Sequence, residues 1–392
     1  MYSALVSIYG AFHFFSWQNV WLFLIMKIVF LSHHYYFSNA RAGFHHLAEA
    51  LHASGHTVVF ATTGISWLSY LRRDPRVCNR SFFQDRNTIR EVKDGFLSYV
   101  HFTALHPHSL VFPFLNRITH RFFDAYAYAD LGLLLPHIEE ADCIIYESSP
   151  SLFLFEKCKQ IAPSAKHVYR VSDDIRVLRS THPRLIEIES TISPMFDLVS
   201  VPCQCLADKF PHKSNVKLQK HGIVEELFSG ATSSPYTTDK NCVFVGNAYL
   251  DEVFVEAASA ECSDVNFHII GNFRPRVSSA NVHYHGEMPF AKTIPWIKFA
   301  DVGLQTLAIS HGRDISSFTD TNKVRQYSYC GLPIVAPQEL QIQREGVFYY
   351  DRHAPASCSA AVRSALSVSR TPAFGGDVQT WREVALEMIA AE

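Results

Sequence analysis

Apolar and polar positions along the chain fall into two alternating rhythms. Residues 27–37 (KIVFLSHHYYF) form a continuous apolar run that ends in polar residues, and residues 40–54 carry apolar side chains at Phe44, Leu47, Ala48 and Leu51, the spacing of one helix face. Gly55 stops that helix and 56–62 (HTVVFAT) is a second run rich in β-branched residues, so the segment predicts a β-α-β unit. Further strands are predicted at 142–146, 167–171, 198–201, 242–245, 266–270, 302–304 and 333–336, with amphipathic stretches between most of them. Strands alternating with helices build open parallel sheets, the α/β class. The small, polar stretch 229–240 (SGATSSPYTTDK) marks a linker between an amino-terminal domain at 26–228 and a carboxyl-terminal domain at 241–376. The last segment, 377–392, has helical periodicity and is expected to cross back onto the first domain. Two doubly wound, Rossmann-like sheets in series place a cleft between the carboxyl ends of their strands, where ligands bind in such folds.

Composition agrees with two cores. The 392 residues are 48% hydrophobic and 18% charged, which excludes a disordered chain, and the net charge of −2 argues against a nucleic-acid partner held by a whole-chain field. Charge is nonetheless uneven: residues 27–125 hold eleven Lys and Arg against six Asp and Glu. Within that basic front, Trp67, Arg72 and Arg73, and later Arg117, Arg121 and Phe122, interleave aromatics with cations. Such a pattern suits contact with an anionic membrane surface; equally, the aromatics are core and the arginines solvated. Residues 1–25 form an uncharged apolar leader interrupted by His13, Gln18 and Asn19, with neither a basic flank nor a cleavage site. They read as a mis-called start upstream of Met26, an interfacial anchor or a true span. The nine cysteines are scattered through apolar stretches, as expected for reduced core thiols of a cytoplasmic protein. Cys203 and Cys205 are the one close pair and lack further ligands, so no metal site is expected.

No G-x-G-x-x-G follows the first strand, and the chain has no P-loop and no D-x-D. A diphosphate would therefore rest on helix N-termini and side-chain cations. The best candidate is 319–337 (TDTNKVRQYSYCGLPIVAP), where Thr319, Asp320 or Thr321 caps a helix with Asn322 and Lys323 in its first turn and Gln326 one turn on. A first-turn Lys opposes the helix dipole, which makes sense if an anion sits before it. Glu287 stands at a loop-to-helix junction, where a carboxylate can accept two ribose hydroxyls or simply complement the dipole. Gly246 and Asn247 end a strand where backbone lies open to a ligand. In the first domain Ser172-Asp173-Asp174 ends a strand; the pair offers a general base, with Asp173 favoured, or ordinary capping chemistry. Glu147 is a second strand-end acid nearby and, with Asp173, a candidate catalytic residue.

At residues 165–173 (AKHVYRVSD), 285–300 (HGEMPFAKTIPWIKFA) and 321–333 (TNKVRQYSYCGLP) the chain resembles the xanthan-type glucuronosyltransferases, family 70 enzymes of the GT-B fold. The resemblance implies an inverting, metal-independent transfer, without cofactor, from a UDP-sugar, with glucuronate the expected sugar. The implied acceptor is a polyprenyl-diphosphate-linked oligosaccharide of exopolysaccharide synthesis, met at the cytoplasmic face of the inner membrane. By position it makes Asp173 the base and Glu287 the ribose-binding acid, with Lys323 and Gln326 holding the diphosphate and donor. Ala248, Met288, Leu307 and Asn322 also fall on donor-site positions, and Ala248, Leu307 and Asn322 differ from the family residue. Two rival readings are a non-hydrolysing UDP-sugar epimerase and a non-catalytic polysaccharide-assembly subunit.

Overall fold

The computed structural model describes residues 25–38, 41–78, 80–110, 113–178, 181–247, 249–309, 315–376 and 378–390. The leader up to residue 24 and the expected donor-site residue Ala248 lie outside the described residues.

The apolar runs of the first half form an eight-stranded sheet of order β3-β4-β2-β1-β5-β6-β7-β8. Its strands are β1 (Lys27–Ser32), β2 (Thr57–Ser66), β3 (Ile89–Lys93), β4 (Phe96–Thr103), β5 (Cys143–Glu147), β6 (Lys166–Arg170), β7 (Leu198–Val201) and β8 (Val216–Leu218). All pairs are parallel except β3 with β4, a hairpin that turns at Gly95 with φ +71°. That hairpin, absent from the sequence-based expectation, edges the sheet, and the outer strand β3 is half exposed. Central strands such as β1 and β5 are buried on both faces, which is why they read as unbroken apolar runs.

The second sheet, of order β11-β10-β9-β12-β13-β14, is wholly parallel. It comprises β9 (Asn241–Val245), β10 (Asn266–Ile270), β11 (Val282–Gly286), β12 (Val302–Leu304), β13 (Ile334–Pro337) and β14 (Val347–Tyr350). Tyr236, inside the polar stretch between the sheets, docks on this domain through a 2.5 Å hydrogen bond from its hydroxyl to the Trp296 carbonyl.

The final helix, Trp381–Ile389, opens with a capping box at Thr380 and Glu383 and leaves the second domain. Trp381, Val384, Ala385 and Met388 pack into the first-domain core with Ile28, Phe30 and Leu47. A Cβ on Gly222 would lie 2.4 Å from the Trp381 backbone nitrogen, so the return path needs a bare backbone at that crossing. The helix thus ties the two domains together beside the cleft.

Candidate active site

The carboxyl ends of β9 and β11 and the N-terminus of the helix Asn322–Tyr329 enclose a cavity of about 330 Å³. Gly246, Asn247, Glu287, Met288, Asn322, Lys323 and Gln326, singled out in the sequence or by its resemblance, all line this one cavity. Gly271, after β10, is a site residue that pattern reading missed: a Cβ there would lie 1.8 Å from the Gly246 carbonyl oxygen. The two strand-end loops therefore touch, and only glycine allows it. Glu287 is oriented by Asn247, whose Nδ2 donates to Oε1 at 3.0 Å; the Asn247 Oδ1 in turn accepts from the Asn272 N–H at 3.0 Å.

Thr321 is the N-cap residue of the helix Asn322–Tyr329, and Gly331 at φ +64° follows its end. Tyr327 pins the helix to the sheet by donating to the Val243 carbonyl at 3.0 Å, its ring lying where a Cβ on Gly303 would collide. Arg325 grips Asp320 through two nitrogens. Lys323 is left facing the cavity. Its Nζ lies 3.8 Å from the centroid of the Phe244 ring, and among the described residues no carboxylate stands within ion-pair reach. Burial pushes its pKa down to about 7. A half-buried amine without a counter-ion, at a helix N-terminus, is built to receive an anion.

Leu307 does not join this site. It is buried in the second-domain core with Ile294, Val324 and Ile334, because an apolar side chain following β12 gains more from the core than from an open cleft.

Across the cleft, the first domain presents the ends of β1, β5 and β6. Glu147, expected as a second reactive acid, is fully buried instead. It accepts hydrogen bonds from the Ser32 hydroxyl at 2.5 Å, the His33 N–H at 3.0 Å and the Ser172 hydroxyl at 3.0 Å. His33 Nδ1 and His34 Nε2 also converge on its two oxygens, at 3.0 and 3.3 Å. Burial alone would raise the pKa of Glu147, but the two histidines overcome it and hold the carboxyl well below its usual range. A saturated, strongly acidic carboxylate is a poor base; Glu147 organises the strand ends. Burial likewise opposes charge on His34, and Glu147 outweighs it, raising the His34 pKa.

Asp173 has the opposite character. Its backbone N–H donates to the Ser148 hydroxyl at 3.1 Å, which fixes the turn, while its side chain stays open to the cleft. Enclosure by the protein raises its pKa; His33 and His34 counter this, and Glu147 adds to it. Asp174 raises it less than Glu147 does; the Asp174 carboxylate is itself paired with Lys209 and Arg176, which hold it ionised against the cost of burial. One of two adjacent acids is therefore tied into the structure and the other left available.

The first domain also contributes residues to the donor-side cavity. Arg41, His46 and Trp381 line it, with Arg41 anchored by Glu49 at 3.1 Å and His46 stacked on Trp381 with ring centroids 5.8 Å apart. Arg41 and His46 stand just before and within the helix Gly43–Ala53, where nothing in the local sequence marks them; Trp381 reaches the cavity through the crossing of the last helix, which packs on that first helix.

The basic front end resolves into two kinds of residue. Arg86 lies over the rings of Phe83, Phe102 and Trp67, so part of the charge is absorbed by aromatics. On the helix Pro113–Asp124, Phe123 and Asn116 face inward, while Phe114, Ile118 and Phe122 are 61%, 61% and 63% exposed, with Arg117 and Arg121 alongside. Trp67, Arg72 and Arg73 are exposed at the start of the short helix Trp67–Leu71 and just after its end. Among the described residues no helix is long and apolar enough to cross a membrane, and all nine cysteines are free.

Comparisons with known proteins point the same way. Residues 30–202 match the family model described as glucuronosyltransferase GumK, N-terminal domain. The UDP-glucuronate:glycolipid 2-beta-glucuronosyltransferase of Xanthomonas campestris pv. campestris is 29% identical over 343 residues, covering 87% of this chain and 84% of that protein. Among solved structures, sucrose-phosphate synthase from Thermosynechococcus elongatus superposes with a TM-score of 0.60 at 13% identity, over 92% of this chain and 97% of its own. Anabaena HepE, in complex with UDP and glucose, gives 0.59 at 12% identity over 93% and 98%. The structural likenesses establish the fold, two facing α/β domains of the GT-B type.

Proposed function

Because this chain belongs to the GumK-like glucuronosyltransferases, we propose that it moves a glucuronosyl group from UDP-glucuronate to a polyprenyl-diphosphate-linked oligosaccharide. The observation that carries the reading is the pairing across one cleft of an anion-seeking amine, Lys323, with an available carboxylate, Asp173.

In this mechanism Glu287 accepts the ribose hydroxyls and Met288 packs beside the nucleoside. Lys323 and the free N–H groups opening the helix Asn322–Tyr329 face the diphosphate. The acceptor hydroxyl gives its proton to Asp173 as its oxygen attacks the anomeric carbon from the side opposite UDP. The new glycosidic bond forms as the bond to the β-phosphate oxygen breaks, so the anomeric configuration inverts. Negative charge accumulates on the departing UDP, where Lys323 and the helix dipole offset it without having to reorganise. The raised pKa of Asp173 suits a base that must accept a proton near neutral conditions.

A lipid-linked acceptor requires the enzyme to work at a membrane. Supporting this, the exposed stripe of Phe114, Ile118 and Phe122, flanked by Arg117 and Arg121, has the character of an interfacial helix: apolar side chains at headgroup depth and cations above them. We place the enzyme peripherally on the cytoplasmic face of the inner membrane.

The test is a panel of radiolabelled UDP-sugars offered with membrane lipid extract and scored for label in the organic phase. Transfer from UDP-glucuronate is the expected result; no transfer from any donor overturns the reading.

A further inference from the structure

A second cavity, of about 270 Å³, adjoins the first and shares Thr321, Asn322 and Trp381 with it. Asp173 and His34 stand in its wall, so it lies at the reacting end of the cleft. Arg170, at the end of β6, also lines it and is only 2% exposed. Its Nη1 donates to the Ser200 hydroxyl at 2.8 Å and to the Gln219 carbonyl at 2.6 Å, which fixes the guanidinium plane. Its Nη2 is buried with no hydrogen-bond partner. Two other lining residues carry unpaired buried atoms, Nδ1 of His221 and Oδ1 of Asn322.

A buried guanidinium without a carboxylate is costly, and natural structures pair such groups. Among the described residues no acid forms an ion pair with Arg170. Asp320, whose charge Arg170 feels, is already neutralised by Arg325. The unmet demand is for one anionic oxygen, delivered into a cavity whose other unpaired groups suit hydroxyls.

Resting on the proposed donor reading, we infer that Arg170 is a specificity-determining residue: its Nη2 binds the carboxylate of a uronate donor sugar, with Asn322 and His221 taking neighbouring hydroxyls. A sugar whose diphosphate sits at Lys323 extends past Asn322 into this second cavity, toward Asp173. A neutral hexose would leave Nη2 unpaired, so the site discriminates by the cost of an unsatisfied buried donor.

The test measures binding separately from turnover. Titration calorimetry of wild-type protein with UDP, UDP-glucuronate and UDP-glucose should show UDP-glucuronate bound about 10–100-fold more tightly than UDP-glucose, the range expected for a charge-assisted hydrogen bond. Arg170→Gln should abolish that preference while leaving the affinity for UDP within about threefold. Equal wild-type affinities for the two sugar nucleotides, or a preference that survives Arg170→Gln, overturn the inference. Since Arg170 also ties β6 to the neighbouring strand ends, Arg170→Lys and Ser200→Ala cover the case in which the Gln variant does not fold. Lys keeps the charge without the fork and should shrink the preference several-fold. Ser200→Ala removes only an Nη1 acceptor and should leave the preference intact; if it collapses the preference, the role of Arg170 is structural. A preference that depends on Arg170 in a protein that labels no lipid would retain the subsite and overturn only the transfer reading.

Discussion

Lys323 gives the sharpest pH prediction. Its amine has a pKa near 7 in the unliganded protein because burial opposes the charge. A diphosphate beside it favours the charged form, so binding must raise that pKa and take up a proton wherever the amine is neutral beforehand. Below about pH 7 the amine is already charged and the affinity for UDP is fully present. Above it each further pH unit costs up to about a factor of ten, until the pKa of the liganded amine is reached. Calorimetric titration with UDP at pH 7.0, 7.5, 8.0 and 8.5, in buffers of different ionisation enthalpy, reads both the affinity and the proton uptake. Lys323→Met should bind UDP weakly and lose the proton uptake. In the unliganded protein the sign is opposite: a Lys with a lowered folded-state pKa destabilises the fold at and below that pKa, and the penalty fades as pH rises. Lys323→Met should therefore raise the unliganded Tm at pH 6 by a few degrees, roughly 2–4 °C per kcal/mol relieved, while removing the stabilisation that UDP confers. A wild-type affinity for UDP that is flat from pH 7 to 8.5, or a Met variant with the same slope, refutes the reasoning.

Further outcomes follow from other parts of the cleft. Asp173→Asn should bind UDP normally and lose about 10²–10⁴ in transfer rate. In the wild type, transfer should decline as pH falls through the raised Asp173 pKa, since only the carboxylate accepts the proton; near-normal turnover of the Asn variant would remove Asp173 from the base role. Gly271→Ala places a Cβ against the Gly246 carbonyl, so urea unfolding should register a loss of about 2–4 kcal/mol and UDP affinity should drop. Replacing Phe114, Ile118 and Phe122 together by Ser should abolish flotation with anionic vesicles while leaving UDP binding unchanged, each side chain contributing up to roughly 1.5–3 kcal/mol when inserted. Persistent flotation would assign membrane contact to another surface.

Several of these residues were legible before any coordinates because each sits where one element becomes another. Asp173 follows a β-branched run, Glu287 stands between a strand and a helix, and Lys323 occupies a first helical turn; such junctions show in local pattern. Glu147 looked equivalent to Asp173 on the same grounds. What separates them is the company each keeps: two serines and two histidines gather on Glu147, and only the pairing of β1 with β5 brings Ser32, His33 and His34 to it. Leu307 was assigned to the site by position along the chain, yet it fills the core.

The sequence by itself determined the class of fold, the two-sheet division and the chemical character of the cleft. These rest on periodicity, on turn residues and on the absence of competing nucleotide motifs, all of them short-range information. Tertiary structure alone decided which groups meet. Arg170 and His221 converge with Asn322, a residue of the other domain, and Trp381 returns from the chain's end to share both cavities. It also decided which face of the helix Pro113–Asp124 points outward. An amphipathic helix carries the same periodicity whichever face is buried; here Asn116 is held by the Leu110 N–H and by His182. That fixes a partly polar face inward, with Phe123 beside it, and leaves Phe114, Ile118 and Phe122 exposed.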